Sequence, residues 1–140
     1  MRWILSIPLF LYLLIAANAI MASGPLEESM MNVILVEFLL PSGRNIILTV
    51  SDTFILTSVF FLYVETFKAT RTSIISIIDH ALSLLVFVVF LIEFLVVPRL
   101  GNATFLILMV CSLMDVVMGF TVTISTARRD LGIGGGLGGQ

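Results

Sequence analysis

Charge is scarce in this chain: only 11% of its 140 residues are Asp, Glu, Lys or Arg, whereas 59% are hydrophobic. Soluble domains carry about 25% charged residues, so there are too few charges here to cover a water-facing surface. A mean hydropathy of +1.19 agrees, and a soluble globular domain is excluded. The single cysteine, Cys111, forms no internal disulfide and reads as a small core residue in a hydrophobic run. One cysteine and one histidine fall short of the three or four ligands of familiar zinc clusters. His80 alone does not supply the axial pair of a haem b bundle. No cofactor is therefore expected. Seven basic and nine acidic residues, with no basic stripe, leave no electrostatic footprint for nucleic acid.

Long apolar runs are what the chain does have. A bilayer core about 30 Å thick needs roughly 20 apolar residues, and four stretches qualify: 3–22, 46–67, 74–97 and 103–126. The expected fold class is an all-α membrane protein, a four-transmembrane-helix bundle forming one integral domain over 1–130. Pro98 stops the third span. Asn102 is placed to cap the fourth, which Arg128 and Arg129 end. From Gly132 to Gln140 six of nine residues are glycine, which predicts a flexible cytoplasmic tail over 131–140. No strand precedes and no helix follows this stretch, so it is not a phosphate loop.

Orientation follows from the basic residues. Arg2, Lys68, Arg71, Arg128 and Arg129 fall on one side and Arg44 and Arg99 on the other, five against two. Both termini are then cytoplasmic, and 23–45 lies outside. A cleaved signal peptide is the rival reading of the first span, with Ala17-Asn18-Ala19 as an A-x-A site. It satisfies the same charge count. The lone Arg2 and the apolar run through Met21 favour retention.

Between the first two spans, the β-branched runs of 33–40 and 44–50 flank Pro41-Ser42-Gly43, which is turn chemistry. A short extracytoplasmic β-hairpin is expected, with Ser51 or Asp52 capping the second helix. The alternative is an interfacial helix over 33–40, with the second helix reaching back to Ile46.

Ionisable residues at membrane depth are functional suspects. Asp115 lies near the middle of the fourth span, and Ser112, Asp115, Gly119, Thr123 and Thr126 recur at helical spacing on one face. By depth, Ser58 and Ser83 are the hydroxyls able to reach Asp115. The site is either a proton-binding carboxylate or a satisfied interhelical hydrogen bond beside a close-packing glycine. The absence of a second mid-membrane charge favours the latter. Asp79, His80 and Glu65 are cytoplasmic-side titratable groups. Asp79 and His80 are adjacent, so they do not face each other, and they read as polar anchors near headgroup depth. Glu65 and Lys68, three apart, read as an ion pair. Glu93 lies roughly 21 Å along the helix from Asp79, too far for the two to cooperate. Phe87, Phe90 and Phe94, with Phe60 and Phe61, read as packing stripes. The sequon Asn102-Ala-Thr104 reads as a chance match.

Enzyme classes fail on their own chemistry. Paired cysteines are missing for disulfide or quinone redox work, and Asp79 and Asp115 are neither clustered nor level enough for a metal-dependent transferase or an aspartyl protease. A non-catalytic accessory or scaffold subunit is expected, with the lipid bilayer and other membrane proteins, or a second copy, as partners. The alternative is a small homo-oligomeric proton-coupled transporter or channel using Asp115, of the size of the small multidrug exporters but without their first-helix carboxylate. The stretches Leu40-Pro-Ser-Gly43, Glu65-Thr-Phe-Lys-Ala-Thr-Arg-Thr72, Ile78-Asp-His-Ala-Leu-Ser83 and Asp115-Val-Val-Met-Gly-Phe-Thr-Val-Thr123 through Ala127-Arg-Arg-Asp130 resemble uncharacterised small bacterial inner-membrane proteins. The resemblance covers about 40–130. It implies a bacterial inner-membrane location and carries no site residues with it.

Overall fold

The computed structural model describes residues 7–23, 30–70 and 74–134, with side chains except at 74–77 and 126–134. Arg2, Trp3 and Arg71 and the tail beyond Gly134 lie outside these residues. Four helices form the body: α1 (Leu9–Ser23), α2 (Val50–Ala69), α3 (Ile74–Val96) and α4 (Ala103–Gly134). Strands β1 (Ile34–Leu39) and β2 (Asn45–Thr49) separate α1 from α2. The chain is thus mostly helical, and α2, α3 and α4 each contain a stretch long and apolar enough to cross a membrane. The helix α1 is shorter, at 15 residues, and begins directly after Pro8 rather than at residue 3.

The β-hairpin forms where the Pro-Ser-Gly turn placed it, and its local chemistry accounts for its register. Leu40 and Arg44 close the loop through Leu40 N–H to Arg44 O (2.8 Å), and the Gly43 N–H donates to Leu40 O (2.9 Å). Pro41 pre-sets the first turn position, and Gly43 takes the left-handed φ of +79° that a side chain resists. Val36 pairs with Leu48 and Phe38 with Ile46, with a bulge between Ile34 and Val36. Because β2 uses residues 45–49, α2 starts at Val50 and not at Ile46. Its cap is Thr49, not Ser51 or Asp52. The Thr49 hydroxyl accepts from the Asp52 N–H (3.2 Å) while the Asp52 carboxylate accepts from the Thr49 N–H (2.9 Å), a reciprocal capping box. Thr49 also pairs with Ile34, so one residue ends the hairpin and starts the helix.

Pro98 ends α3 as anticipated, holding Val97 in an extended conformation. A single 3-10 turn, Pro98–Leu100, leads to Asn102, whose side-chain oxygen accepts from Phe105 N–H (3.0 Å) and caps α4. The same carboxamide donates to Arg99 O (3.2 Å), so the sequon asparagine is engaged in the turn. The helix α4 runs past the anticipated end at Thr126 to Gly134. Arg128 and Arg129 limit an apolar span, but Ala, Arg and Leu are good helix formers, so the backbone continues.

In the bundle α4 packs against both α2 and α3, and α1 lies against α2 and α3. Its core contains Phe10, Leu13, Leu14 and Ala17 of α1, Phe54 of α2, Val86 and Phe90 of α3, and Phe105 and Leu108 of α4. Phe90 and Phe105 stack in a tilted pair with centroids 5.2 Å apart. Met31, before β1, is buried in the same cluster and pins the hairpin's base. The outer surface is apolar: Leu56, Phe60, Tyr63, Leu85, Ile92, Leu95, Val117 and Ile124 are all more than half exposed. Glu65, Asp79, His80, Ser58, Ser83, Ser112 and Asp115 are buried. Polarity is inverted relative to a water-soluble domain.

Candidate functional site: a buried polar network

The polar residues gather on the inward faces of α2, α3 and α4, in levels along the bundle. The first level is an ionic clasp. Glu65, 3% exposed, accepts from Lys68 Nζ (2.8 Å to Oε2) and from the Leu9 N–H (2.6 Å to Oε1). That amide belongs to the first turn of α1, where backbone N–H groups have no partner within the helix. Glu65 therefore caps α1 from a neighbouring helix, at the positive end of its dipole. Lys68 also donates to Ile7 O (3.4 Å) and pairs with Asp79 Oδ2 (3.4 Å). The expected Glu65–Lys68 pair is present, but as a three-helix clasp joining α1, α2 and α3.

The second level is steric. Asp79 and His80 do diverge as adjacent helical residues must: Asp79 turns to Lys68 on α2 and His80 to Gly119 on α4. A Cβ built on Gly119 would fall on the His80 ring, so the glycine makes room for the imidazole. His80 also packs against Phe120, with ring centroids 6.1 Å apart. Both residues are buried in the bundle, at 6% and 4% exposure. The inward face of α4 decides this, because only a glycine there admits a ring so close.

The third level is Asp115. Ser83 hydrogen-bonds its carboxylate, and Glu65, Asp79 and Lys68 all lie within electrostatic range. Its other oxygen, Oδ2, is buried without a hydrogen-bond partner, as is Ser112 Oγ one turn earlier on the same face. Of the two serines expected to reach Asp115, Ser83 does so. Ser58 instead donates to Ile55 O (2.7 Å) and faces Cys111 Sγ (3.7 Å). Thr123 donates to Gly119 O (3.0 Å).

Toward the hairpin end the polar contacts are different residues. Asn18 of α1 donates to Glu93 Oε2 of α3 (2.7 Å), Arg99 donates to Met21 O (3.0 Å), and Ser51 and Thr104 hydroxyls bond at 2.6 Å. These contacts dock α1 at its far end and α2 on α4. The Asn18–Glu93 pair had a signal, since both are polar interruptions of apolar runs, but matching them needs the depth of α1 relative to α3. The Leu9 amide had none, being backbone.

Between α1 and α3 runs a half-open groove lined by Leu11, Leu14, Leu82, Leu85, Val86 and Val89, with Ile7 and Pro8 at one end and no polar lining. Among the described residues no group of three or more His, Cys, Asp or Glu is arranged to hold a metal ion. No family model, curated protein or solved structure matches the chain, so the likeness noted in its sequence assigns no family and the network is read from its own chemistry.

Proposed function

We propose that the chain is a multi-pass integral membrane protein of the bacterial inner membrane, a non-catalytic accessory or scaffold subunit that packs laterally against other membrane proteins. The observation that carries this reading is the inversion of polarity, with large apolar side chains outward and eight polar or ionisable ones inward. Lipid or the apolar face of another protein stabilises such a surface, and water does not. The clasp supports the non-catalytic half of the reading. Glu65, Lys68 and Asp79 bind one another and α1, which is what groups that hold helices together do. In this reading α1 belongs to the fourth span, both termini are cytoplasmic, and the hairpin lies outside.

Purification from the native membrane in mild detergent, followed by native mass spectrometry, tests the role. A stoichiometric partner protein is expected. Recovery of the chain alone, as monomer or homo-oligomer, refutes the accessory role. Topology is tested with Cys111→Ala as background and single cysteines at Ser42 and Thr70. A membrane-impermeant thiol reagent applied to whole cells with a permeabilised outer membrane is expected to label position 42 and not 70.

A further inference from the structure

We infer that Asp115 Oδ2 is an exchangeable proton site, open toward the Lys68 end of the bundle and closed toward the hairpin end. Two side chains on one face of α4 carry this. Asp115 Oδ2 and Ser112 Oγ, on residues 5% and 1% exposed, have no hydrogen-bond partner. Buried polar atoms without partners are rare in native folds and call for an explanation. A proton removes the cost at Asp115 without requiring a cavity: a carboxylate takes up H⁺ from water to become a neutral acid, so no uncompensated charge is left buried. The other Asp115 oxygen stays with Ser83.

The groups that face Asp115 set the charge balance. They are Glu65 and Lys68 from α2 and Asp79 from α3, with Ser83 of α3 on its carboxylate; His80, next to Asp79, turns to Gly119 of α4, and the described part of α1 meets the clasp through the Leu9 N–H and Ile7 O. Three carboxylates thus share one lysine, and that lysine is already held between Glu65 and Asp79. Among the described side chains an ionised Asp115 has no cation of its own, and a buried charge without one is costly.

Direction comes from what lies on either side. Toward one end Asp115 is followed by Asp79 and Glu65 and then by Lys68, whose side chain is 17% exposed. These are ionisable groups within electrostatic range of Asp115, and the last of them is reached by solvent. Toward the other end, past Ser112, the interior is closed by Phe90, Phe105 and Leu108, each 0% exposed. A proton that enters from the Lys68 end must leave by it. Such a site reports the pH of one compartment and does not carry protons across. The inference is independent of whether a partner protein is found.

The test is infrared difference spectroscopy of the full chain in oriented proteoliposomes, with pH set separately on each side and aspartate labelled at its carboxyl carbon with ¹³C. A protonated-carboxyl C=O band that shifts with the label, titrates with pH on the Lys68 side only, and is lost in Asp115→Asn is expected. Asp52→Asn, Asp79→Asn and Asp130→Asn each retain the band, which assigns it to Asp115 even where Asp115→Asn fails to fold. Absence of a titrating aspartic acid band overturns the proposal. So does a band that follows pH on the hairpin side, or one that sodium ions abolish at fixed pH, which makes the site a cation site.

Discussion

Replacing Glu65 with Ala tests whether the clasp holds the bundle together. The substitution removes the acceptor for the Leu9 N–H and the nearer of the two carboxylates on Lys68, leaving Asp79 at 3.4 Å. Breaking a buried ion pair by deleting one partner costs roughly 3–5 kcal/mol. Lys68 is 17% exposed and keeps some access to solvent, which puts the ionic part near the lower end, roughly 3 kcal/mol. The orphaned amide adds about 1 kcal/mol. Unfolding in mixed micelles titrated with SDS, followed by far-UV circular dichroism, reads the difference. Glu37→Ala is the control, since Glu37 is exposed on the hairpin and bonds only Asn45 (3.0 Å); its effect should stay within about 0.5 kcal/mol. Glu65→Gln keeps an acceptor for Leu9 and is expected to lose less than Glu65→Ala. The triple change Glu65→Leu, Lys68→Met and Asp79→Leu is expected to restore most of the loss, because apolar replacement of a whole buried ionic group is often neutral. A Glu65→Ala loss no larger than that of Glu37→Ala refutes the clasp.

Three further substitutions follow from the geometry. Gly119→Ala drives a methyl into the His80 ring and is expected to cost about 1–3 kcal/mol. Combined with His80→Ala that cost should largely disappear, so a double-mutant cycle in the same assay that shows no coupling rejects the contact. Thr49→Ala removes the capping-box hydroxyl and is expected to cost about 1 kcal/mol, with faster amide exchange in both 34–39 and 50–53; faster exchange in α2 alone denies that Thr49 joins the two elements. Gly43→Ala meets nothing within 4 Å, so its cost is the left-handed backbone alone, about 1–2 kcal/mol. Gly43→Asn should cost less, and equal exchange rates over 34–49 in all three proteins rule out this turn geometry.

The elements that local chemistry dictates were legible in the sequence, and the contacts between helices were only partly so. Pro41-Ser42-Gly43 announces the hairpin, Pro98 the end of α3, and Asn102 the start of α4, because each constrains its own backbone. The cap of α2 was misplaced by two or three residues because Thr49, Ser51 and Asp52 are all competent caps. The hairpin register, which is long-range, selects among them. The Glu65–Lys68 pair was visible at a spacing of three, but its extension to Asp79 and Leu9 depends on the relative depth of α1 and α3. Helical periodicity fixes the face of each helix and says nothing of that depth. Asp115 stood out for its position, and its face of α4 was read from spacing alone. That Ser83 rather than Ser58 meets it is decided by how α4 is rotated between α2 and α3.

Depth on α2 unites the hairpin, the clasp and Asp115 in the membrane reading. Thr49 and Lys68 are 19 residues apart, about 28 Å along a helix, which is close to the thickness of a hydrocarbon core. The hairpin requires its boundary at the Thr49 end. The Leu40–Arg44 bond sets the alternation of the ladder, so the backbone groups of Leu39 and Glu37 point away from β2. A free strand edge has no place in hydrocarbon, yet β1 is exposed along its length and, Glu37 aside, apolar. A headgroup layer satisfies both demands, with water and headgroups for the edge and acyl carbon for Val36 and Phe38. With the hairpin there, Ser51 and Thr104 lie just inside one boundary and Lys68 reaches the other. Asp115, 11 residues or about 17 Å beyond Thr104 on α4, falls past the middle, toward Lys68. Among the described residues, the buried polar side chains between it and the Ser51–Thr104 pair include Ser112 and Ser58, with Cys111 beside Ser58, and Asn18 and Glu93 pair between α1 and α3. The clasp on its other side is a run of ionisable groups. This asymmetry of depth is the basis of the one-sided access proposed for Asp115.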